Sequence, residues 1–475
     1  MSSEFPFSIG QQWKTSCEKI EIKNPYTQKI IGTVHQAQEK DCEEAIQSAV
    51  CAFEITRQFS SFERVEILKK ITQGLESHAQ ELAETICQEM GKTIRESRRE
   101  TSRSINTFTL AMEESKRLLG EVIPLDHLPT TKSRLALTKR FPIGPILAIS
   151  PFNYPLNLVS HKVAPALACG NTIVLKPPPQ APMTSLKLAK IIMESGLPDG
   201  AFSVLPCKND LAQKMVQDPR FKMLTFTGSA RVGWVLKTLA AKKKVILELG
   251  GIGATIIDEG ISLDKAVERC VYGAFSGAGQ ICISVQTIYV HAKEFEAFKN
   301  KFLKAVSHLK MGDPLDEKTD MGPLIDEAAA KRVESWIEEA KQKGALVLCG
   351  GKRKNNFIEP TVLTQVTPDM KVCHEEIFGP VVNLISFKNL EDVYRSINQL
   401  PYGLQAGIFT NTIQTVFQAY ERIEVGSLIH NDIPTFRVDH MPYGGIKDSG
   451  YGREGIKYAM EQMTESRMLA LNLAE

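Results

Sequence analysis

The stretch ILAISPFNYPLNLVSHKVAPALACGNTIVLK, residues 146–176, contains the pattern that decides the fold. An apolar run comes first, a turn with two prolines follows, and an apolar segment that stops at Gly170 leads into a second β-branched run. Short continuous apolar runs are typical of strands that are buried on both faces of a parallel sheet. The stretch therefore predicts a strand, a helix and a second, parallel strand.

The same alternation of apolar runs and helical patterns continues along the chain. It extends to KVILELGG at 244–251, and a second series begins with GATIID at 253–258 and reaches GSLIHN at 426–431. Two such series predict an α/β protein with two sheet-containing domains. Residues 121–140 interrupt the pattern with two prolines and alternating polar and apolar residues, which predicts an extended arm or hairpin.

Composition narrows the class of protein. The 475 residues are 43% hydrophobic, and 57 Lys and Arg face 55 Asp and Glu, so we expect large cores and no broad basic surface for nucleic acid. No apolar run approaches the ~18 residues of a membrane span, and the first residues lack a signal-peptide pattern. The ten cysteines are scattered without metal-ligand spacing. We therefore expect a cytoplasmic protein with no nucleic-acid, membrane or metal partner.

Three residues are candidates for chemistry, each with an ordinary alternative. Cys282 lies in the Gly-rich break GAGQICIS, where a thiol either packs as a small apolar group or is accessible as a nucleophile. Asn153 follows a strand end, where open sheets bind ligands, or it satisfies its own turn. Glu248 ends a buried strand and is either a cleft carboxylate that takes a proton or an edge carboxylate in water.

Three further segments are candidates for binding a ligand. FTGSARVG at 226–233 predicts a strand, a tight turn and a helix start, where free N–H groups and the helix dipole attract an anion, although many α/β turns share this pattern. Lys176 ends a strand before three prolines and is either solvated or a cofactor contact. EEIFGP at 375–380 contains two further candidates, Glu376 and Phe378. They either line a ligand-binding cleft or are an ordinary surface acid and core aromatic.

Taken in order, these segments resemble the aldehyde dehydrogenase superfamily over essentially the whole chain. The matching pieces are SPFNYP, HKVAPALACGNTIVLKPP, FTGSARVG, LELGG, GAGQIC, EEIFGP, YGLQAGIFT and MPYGGIKDSGYGREG. The resemblance implies an α/β aldehyde dehydrogenase fold with three parts: a Rossmann-like cofactor domain at 1–120 and 141–247, an α/β catalytic domain at 248–445, and an oligomerisation element at 121–140 and 458–475. An apolar terminal strand needs cover, so we expect a homodimer or homotetramer.

The resemblance also implies NAD- or NADP-dependent oxidation of an aldehyde. Cys282 would be the nucleophile that forms a thiohemiacetal and then a thioester, and Asn153 with the Cys282 N–H would hold the oxyanion. Glu248 would activate water, and Lys162 would lie near the proton path. The implied cofactor-binding residues are Lys176, Pro179, Gly228, Ser229, Gly233, Leu249, Gly250, Glu376 and Phe378.

Departures from the family pattern point to the cofactor and substrate. NAD-preferring members often have a glutamate where this chain has Pro179, so we expect NADP to be accepted. NLVSHKVAPAL, CISV and FRVDHMPYGGIKDSG resemble the branch of lactaldehyde, phosphonoacetaldehyde and non-phosphorylating glyceraldehyde-3-phosphate dehydrogenases. Ile281 replaces the arginine that often precedes the nucleophile in the last of these. We expect the substrate to be a small polar aldehyde, and the candidate contacts for it are Arg117, His161 and Arg437. The more specific hypothesis is that the aldehyde carries an anionic group.

Alternatives to these assignments stay open at this level. Arg117 and His161 could be a solvated helix charge and a histidine with satisfied hydrogen bonds. A CoA-acylating dehydrogenase would use the same nucleophile but pass the acyl group to CoA, and that branch commonly lacks the base matched by Glu248. A non-catalytic binding protein could also use the fold, although it would be expected to have lost Cys282, Glu248 or Asn153.

Overall fold

The computed structural model describes residues 3–473 as an α/β protein with three principal sheets. No helix in this range combines the length and the apolar character that crossing a membrane requires. Along the described chain, the helices are α1 (Glu39–Thr56), α2 (Ser61–Ser77), α3 (Ala79–Met90), α4 (Ile94–Glu114), α5 (Asn157–Ala168), α6 (Met183–Met193), α7 (Asn209–Gln217), α8 (Ala230–Leu239), α9 (Leu263–Phe275), α10 (Phe295–Val306), α11 (Glu327–Gln342), α12 (Lys371–His374), α13 (Leu390–Asn398), α14 (Ile413–Arg422) and α15 (Ile456–Gln462).

The strands of the described chain are short in most cases. They are β1 (Ser3–Phe5), β2 (Phe7–Ile9), β3 (Gln12–Lys14), β4 (Lys19–Lys23), β5 (Ile30–His35), β6 (Val122–Pro124), β7 (Arg134–Pro142), β8 (Ile146–Ile149), β9 (Ile173–Lys176), β10 (Phe202–Val204), β11 (Met223–Thr227), β12 (Lys244–Glu248), β13 (Gly253–Ile257), β14 (Val285–His291), β15 (Leu346–Cys349), β16 (Arg353–Lys354), β17 (Phe357–Ile358), β18 (Thr361–Thr364), β19 (Val381–Phe387), β20 (Tyr402–Gly403), β21 (Gln405–Phe409), β22 (Ser427–His430), β23 (Ile446–Lys447), β24 (Gly450–Tyr451) and β25 (Thr464–Asn472).

The first sheet has the order β24-β12-β11-β8-β9-β10-β2-β3. Its five central strands, β12 to β10, run parallel, and the outer strands β24 and β2 pair antiparallel to them. Neighbouring residues of β8 contact opposite cores, since Ile146 and Ala148 join one apolar cluster while Leu147 and Ile149 join another. The sheet is therefore covered on both faces, which confirms the prediction from the continuous apolar runs.

The second sheet has the order β15-β18-β19-β14-β13-β21-β22 and is parallel except for the antiparallel edge strand β15. Helices α9, α10 and α11 pack on one face through an apolar cluster that includes Phe275, Phe302 and Ile337. The connection from α9 on this face into the central strand β14 carries Cys282. Strand β12 of the first sheet leads directly into β13 of the second, so Glu248 lies at the junction of the two sheets.

The third sheet is a small antiparallel ribbon with the order β25-β7-β6. Nine residues of β25 pair with nine of β7, from Thr464 opposite Pro142 to Asn472 opposite Arg134. The extended arm predicted at 121–140 is present here as β6 and β7. Residues 1–2 and 474–475 of the predicted domain ranges lie outside the described residues.

Two local features differ from the sequence-based expectation. From Ser60 to Gly91 the sequence predicts a helix that opens with a capping box of Ser60 and Glu63 and carries one apolar stripe. The capping box is present, but the helix is divided into α2 and α3 at His78. The His78 ring bonds the Gly74 carbonyl at 2.9 Å and ends the first helix. In addition, β24 joins the edge of the first sheet from a segment that the predicted domain ranges left unassigned.

Candidate active site

The Gly-rich break before Cys282 is a left-handed turn. Gly277, Ala278 and Gly279 have φ values of 56°, 55° and 71°, a region that glycine enters with little cost. A Cβ on Gly279 would lie 2.1 Å from the Gly379 carbonyl oxygen, so the backbone could not approach so closely with a larger residue. The turn redirects the chain from α9 into β14 and leaves Cys282 between them.

The Cys282 thiol is half-buried and contacts both a hydroxyl group and apolar side chains. Its Sγ lies 3.1 Å from the Tyr443 hydroxyl, and the side chain packs against an apolar group that includes Ile281, Ile283 and Leu404. Burial raises the pKa of Cys282 to about 11. A thiolate is the reactive form, so local hydrogen-bond donors and charges must support its formation here.

Asn153 presents its carboxamide to the segment that carries the thiol. Its Nδ2 donates to the Gln280 carbonyl at 2.9 Å, which leaves a second amide N–H for another acceptor. Its Oδ1 has no hydrogen-bond partner within residues 3–473. The backbone carbonyl of Asn153 accepts a bond from Lys92 Nζ at 2.8 Å, so both the main chain and the side chain are held in place.

A buried ion pair supports the turn that holds Asn153. Lys92 Nζ lies 2.8 Å from Glu100 Oε2 and 3.4 Å from the centroid of the Tyr154 ring. The other oxygen of Glu100 accepts the backbone N–H groups of Leu156 and Asn157 at 2.9 and 3.1 Å. Sequence reasoning missed this pair because neither residue lies in a motif and only the fold brings them together.

Glu248 is a buried carboxylate at the end of β12. Neither of its oxygens has a hydrogen-bond partner in the part of the chain that the structure describes. A Cβ on Gly444 would lie 2.9 Å from Glu248 Oε1, so the glycine keeps space beside the carboxylate. Burial, and then the charge of Glu454, raise the pKa of Glu248 well above its usual value. A carboxylate of this kind is suited to take a proton from water.

Lys162 belongs to a buried charge cluster behind Glu248. Its Nζ lies 2.9 Å from Glu454 Oε1 and donates to Thr225 Oγ1 at 3.1 Å. Arg437 Nη2 donates to the other oxygen of Glu454 at 3.2 Å. Burial acts to raise the pKa of Glu454, but the charges of Lys162 and then Arg437 outweigh it and lower the pKa to about 2. Glu454, which sequence reasoning did not single out, therefore stays ionised between two cations.

Two of the predicted substrate residues, His161 and Arg437, lie close to each other. His161 Nε2 and Arg103 Nη2 bond Asp439 Oδ1 at 2.9 and 2.7 Å, and the Arg437 guanidinium lies 3.6 Å from the centroid of the Tyr443 ring. Burial, and then the charge of Arg437, lower the pKa of His161, so the ring is neutral. Among the groups around Asp439 and Tyr443, the cations are therefore Arg437 and Arg103.

The structure does not bring the third predicted substrate residue, Arg117, into this cluster. Arg117 lies in a short 3₁₀ turn after α4, is exposed, and bonds Glu114 Oε1 at 2.7 Å. Arg103, several turns earlier on α4, faces Asp439 instead. Helix α4 ends before Arg117, so Arg117 does not reach the site. The sequence alone does not show which of Arg103 and Arg117 faces the site, because the choice depends on the position of Asp439.

A cleft of about 600 Å³ opens at the carboxyl ends of the parallel strands β8, β9, β11 and β12 and extends to Cys282. It contains all but one of the predicted cofactor-binding residues. Those that line it are Lys176, Pro179, Gly228, Ser229, Leu249, Gly250, Glu376 and Phe378. Gly233 instead allows close packing beneath the cleft, because a Cβ there would lie 2.3 Å from Leu249 Cδ2.

The middle of the cleft fits the diphosphate of a dinucleotide. Helix α8 begins just after Ser229, so the N–H groups of its first turn and the positive end of its dipole face an anion there. The hydroxyls of Ser150 and Thr227 line the cleft and have no partner within the described residues. These donors are available to a bound nucleotide.

The end of the cleft near Cys282 fits the ribose and ring of a nicotinamide. Glu376 Oε1 accepts the Gly251 N–H at 3.1 Å, and a Cβ on Gly250 would lie 2.5 Å from Glu376 Oε2. Burial raises the pKa of Glu376 to about 7. Phe378 has a φ of 47° and meets the Phe152 ring edge-on at 5.8 Å, so an apolar wall closes this end.

The far end of the cleft carries a cation and no acid. Lys176 Nζ donates to Asn209 Oδ1 at 3.2 Å, and burial lowers the pKa of Lys176. Pro179 lies beside them. Among the described residues that line the cleft, Glu376 is the single carboxylate, and it lies at the nicotinamide end. No carboxylate among the described lining residues at the lysine end would repel a phosphate.

A sequence model of the aldehyde dehydrogenase family matches residues 13–469. The chain belongs to the aldehyde dehydrogenase family. This membership confirms the predicted family and fold, and with them a reaction in which NAD or NADP oxidises an aldehyde. The cysteine at the end of a dinucleotide cleft is the arrangement that such a reaction requires.

The names of similar proteins are consistent with the predicted branch. The chain is 45% identical to 3-sulfolactaldehyde dehydrogenase of Priestia aryabhattai, over 99% of this chain and 98% of the relative. It is 43% identical to aldehyde dehydrogenase 21 of Physcomitrella patens, solved with the product succinate, with a TM-score of 0.98 and 99% of both chains covered. Glyceraldehyde-3-phosphate dehydrogenase GapN of Methanocaldococcus jannaschii, solved with NADP, is 38% identical, with a TM-score of 0.93 and 96% and 100% covered.

Proposed function

We propose that this aldehyde dehydrogenase oxidises a small anionic aldehyde to its acid, with Cys282 as nucleophile and NADP as an accepted cofactor. The observation that carries the proposal is that Cys282 and Asn153 line one end of the nucleotide-sized cleft, while the carboxyl group of Glu248 lies near enough to raise the pKa of the thiol. Each of the three has an unfilled chemical role: a thiol, a spare amide N–H and a carboxylate without a partner among the described residues.

The first step is attack of the Cys282 sulfur on the aldehyde carbon, which forms a thiohemiacetal. The oxyanion that results is held by the spare N–H of Asn153 and by the backbone N–H of Cys282. Preorganised donors of this kind are worth about 3–4 kcal/mol each in other enzymes. The bond from Asn153 Nδ2 to the Gln280 carbonyl fixes the direction of the amide before substrate arrives.

Lys176, Ser229 and Glu376 would hold a nicotinamide cofactor whose chemistry is to accept hydride, and loss of hydride from the carbon attached to sulfur would leave a thioester on Cys282. Glu248 then takes a proton from water as the water attacks the thioester, and the acid leaves while the thiolate is restored. The raised pKa of Glu248 suits this role, because the carboxylate holds the proton more firmly than a solvated glutamate would. Lys162, paired with Glu454, lies behind it near the path of this proton, and its charge favours the ionised form of Glu248.

The cofactor preference rests on the far end of the cleft. The residues Lys176, Gly228, Ser229, Glu376 and Phe378 would bind NADP or NAD, and Gly233, Leu249 and Gly250 would shape the surface on which it lies. Pro179 supplies no carboxylate for the ribose hydroxyls, and Lys176 offers an ammonium to a 2′-phosphate. These features support the use of NADP.

The substrate class rests on two cations: Arg437, whose charge acts on Cys282, and Arg103, which bonds Asp439. Arg437 has a buried Nε without a partner among the described residues and lies against Tyr443, which touches the thiol. Arg103 is partly exposed and shares Asp439 with His161. A sulfonate, carboxylate or phosphate on the aldehyde would complete the hydrogen bonds of these groups. The names of the similar proteins, which include a sulfolactaldehyde dehydrogenase and a succinate complex, support the same class.

Transfer of the acyl group to CoA is the second candidate reaction. It would use Cys282 and the cofactor in the same way and would not need a base for water. The buried, unpartnered Glu248 favours hydrolysis, because without a role the burial of that carboxyl group would be a pure cost.

An assay of NADPH and NADH formation at 340 nm with a panel of aldehydes tests the proposal. We expect 3-sulfolactaldehyde and succinic semialdehyde to give a higher kcat/KM than lactaldehyde and propionaldehyde, with no requirement for CoA. Equal values for charged and neutral aldehydes would remove the anionic substrate class, and a strict requirement for CoA would remove hydrolysis.

The domain division, the oligomeric state and the location in the cell are part of the same proposal. We propose the predicted domain division, with the arm and β25 as an oligomerisation element that forms a homodimer or homotetramer. Its exposed apolar residues, such as Met468, Leu469 and Val122, support this role. All ten cysteines are free, which supports a reducing location such as the cytoplasm.

A further inference from the structure

Tyr443 holds its hydroxyl against the Cys282 sulfur on a rigid support. The Oη to Sγ distance is 3.1 Å, and the side chain is 2% exposed. The backbone of Tyr443 exchanges two hydrogen bonds with Glu454, at 3.0 and 2.7 Å. The phenol is therefore fixed by its own main chain as well as by packing, so the contact with sulfur does not depend on a mobile side chain.

A cation lies over the ring that carries this hydroxyl. The guanidinium carbon of Arg437 is 3.6 Å from the centroid of the Tyr443 ring, and its Nη2 is anchored on Glu454. A positive charge above the face of a phenol stabilises electron density on the ring and its oxygen. This makes the O–H a stronger hydrogen-bond donor than it would be in an apolar pocket.

Most of the surroundings of the Cys282 sulfur oppose its ionisation. Burial raises the pKa of the thiol most, and the carboxyl groups of Glu376 and Glu248 raise it further. The hydrogen bond from Tyr443 and the charge of Arg437 act in the opposite direction. Burial also raises the pKa of Tyr443 well above its usual value, so the phenol keeps its proton and can serve as a donor.

We infer that the Tyr443 hydroxyl is a further catalytic group, which donates a hydrogen bond to the Cys282 thiolate and thereby sets the fraction of sulfur ready to attack. Arg437 acts through it as a positioning residue. The inference rests on the proposed role of Cys282 as nucleophile. On ionisation the proton of the thiol passes to water, and Tyr443 retains its own. After the aldehyde carbon has bonded to sulfur, the sulfur is a poor acceptor and the hydroxyl is released.

Alkylation of Cys282 by iodoacetamide tests this without any aldehyde. The rate at about pH 8, measured on the Cys282 peptide by mass spectrometry, reports the thiolate fraction. We expect Tyr443→Phe to lower the rate about tenfold or more, since one bond to a charged group is lost. We also expect the alkylation midpoint of this variant to lie at higher pH. Replacement of Tyr443 by 3-fluorotyrosine, a stronger donor, should raise the rate instead.

Tyr154→Phe is the matched control, because Tyr154 packs beside Cys282 in the same apolar group and its ring remains. Its alkylation rate should equal that of the wild type, and thermal melting should show that each variant is folded. Equal rates for Tyr443→Phe and wild type, or a fall with 3-fluorotyrosine, would overturn the inference. Aldehyde oxidation by Cys282→Ser at the wild-type rate would instead contradict the nucleophile assignment, so the two failures can be told apart.

Discussion

At the scale of single residues, burial sets the chemistry of the site. It raises the pKa of Cys282 to about 11 and that of Glu248 well above its usual value, so in the resting protein the thiol keeps its proton and the carboxyl group has a strong affinity for one. The same low-polarity surroundings strengthen each remaining donor, such as the spare N–H of Asn153. Specific hydrogen bonds and charges must therefore offset the cost of burial before Cys282 can ionise and react.

The reactivity of Cys282 is expected to depend steeply on pH. Because burial raises its pKa to about 11, the thiolate fraction should grow about tenfold for each pH unit between roughly pH 7 and pH 10. The measurement is the rate of iodoacetamide labelling of the Cys282 peptide across this range, with an exposed cysteine such as Cys17 in the same digest as the internal reference. A labelling rate at Cys282 that levels off near pH 7 would contradict a raised pKa.

Pro179 is the residue from which cofactor preference can be tested. We expect Pro179→Glu to lower kcat/KM for NADP by at least about tenfold, because a carboxylate would repel the 2′-phosphate while it could bond the free ribose hydroxyls of NAD. Steady-state kinetics with each cofactor at a fixed aldehyde concentration gives the ratio. Pro179→Ala separates the loss of the proline from the gain of charge and should leave the ratio close to the wild-type value.

At the scale of elements, the buried pair of Lys92 and Glu100 ties helix α4 to the turn that presents Asn153. Two strong contacts made by one lysine, to a carboxylate and to the Asn153 carbonyl, give this turn a fixed shape. The pair therefore controls the direction of the oxyanion donor from a distance, without touching the substrate.

We expect Lys92→Met to lower kcat by about tenfold or more while the KM for NADP changes little, because Lys176 and Ser229, which would hold the ribose and diphosphate, lie on other segments of the cleft. Removal of one partner also leaves Glu100 with an uncompensated buried charge, which costs about 3–5 kcal/mol of stability. Steady-state kinetics and thermal melting measure the two effects.

Arg98→Met is the control for Lys92→Met, since Arg98 lies on helix α4 with Glu100 and its pair with Glu317 is exposed. Exposed pairs contribute about 0–1 kcal/mol, so this variant should resemble the wild type in both kcat and melting temperature. A Lys92→Met enzyme with unchanged kcat would show that the turn is held by other contacts.

Most elements and motifs could be predicted from the sequence, because each depends on local pattern. The strands at 146–149 and 173–176 and the helix between them follow from apolar runs and a glycine stop, and the fold of the family then places Lys176 and Ser229 in the cleft. Residues whose role depends on a distant partner were not predicted. Arg103, Lys92 and Glu454 gain their importance from contacts with residues 60 or more positions away.

The separation of Arg117 from the other two predicted substrate residues has the same origin. On a helix pattern, Arg103 and Arg117 are both basic positions on one element, and only the position of Asp439 distinguishes them. Likewise, the pairing of Tyr443 with Cys282 joins segments that are 161 positions apart. Side-chain contacts between segments that are distant in sequence were thus the part of the site that local patterns could not determine.

At the scale of the whole molecule, the third sheet leaves an apolar edge in the single chain. Met468 and Leu469 of β25 are 60% and 57% exposed, and β25 forms the outer strand of its sheet. An exposed edge of this kind favours pairing with another chain. The proposed homodimer or homotetramer would cover it.

We expect Leu469→Glu to shift the protein to a smaller assembly, because a charge at a buried subunit contact is strongly unfavourable. Light scattering coupled to size exclusion gives the mass of the species directly. Phe62→Glu, at an exposed apolar position of α2, adds the same charge elsewhere and should leave the mass unchanged. Identical masses for Leu469→Glu and wild type would place the subunit contact outside β25.

The central claim is that Cys282 carries the acyl group and that Glu248 allows water to remove it. The most direct measurement is a single-turnover experiment on Glu248→Gln with NADP and succinic semialdehyde, followed at 340 nm and by mass spectrometry of the quenched protein. We predict a burst of one NADPH per active site, slow turnover after it, and a succinyl group on the Cys282 peptide. Steady NADPH formation at the wild-type rate, or an acyl group on another residue, would contradict the account.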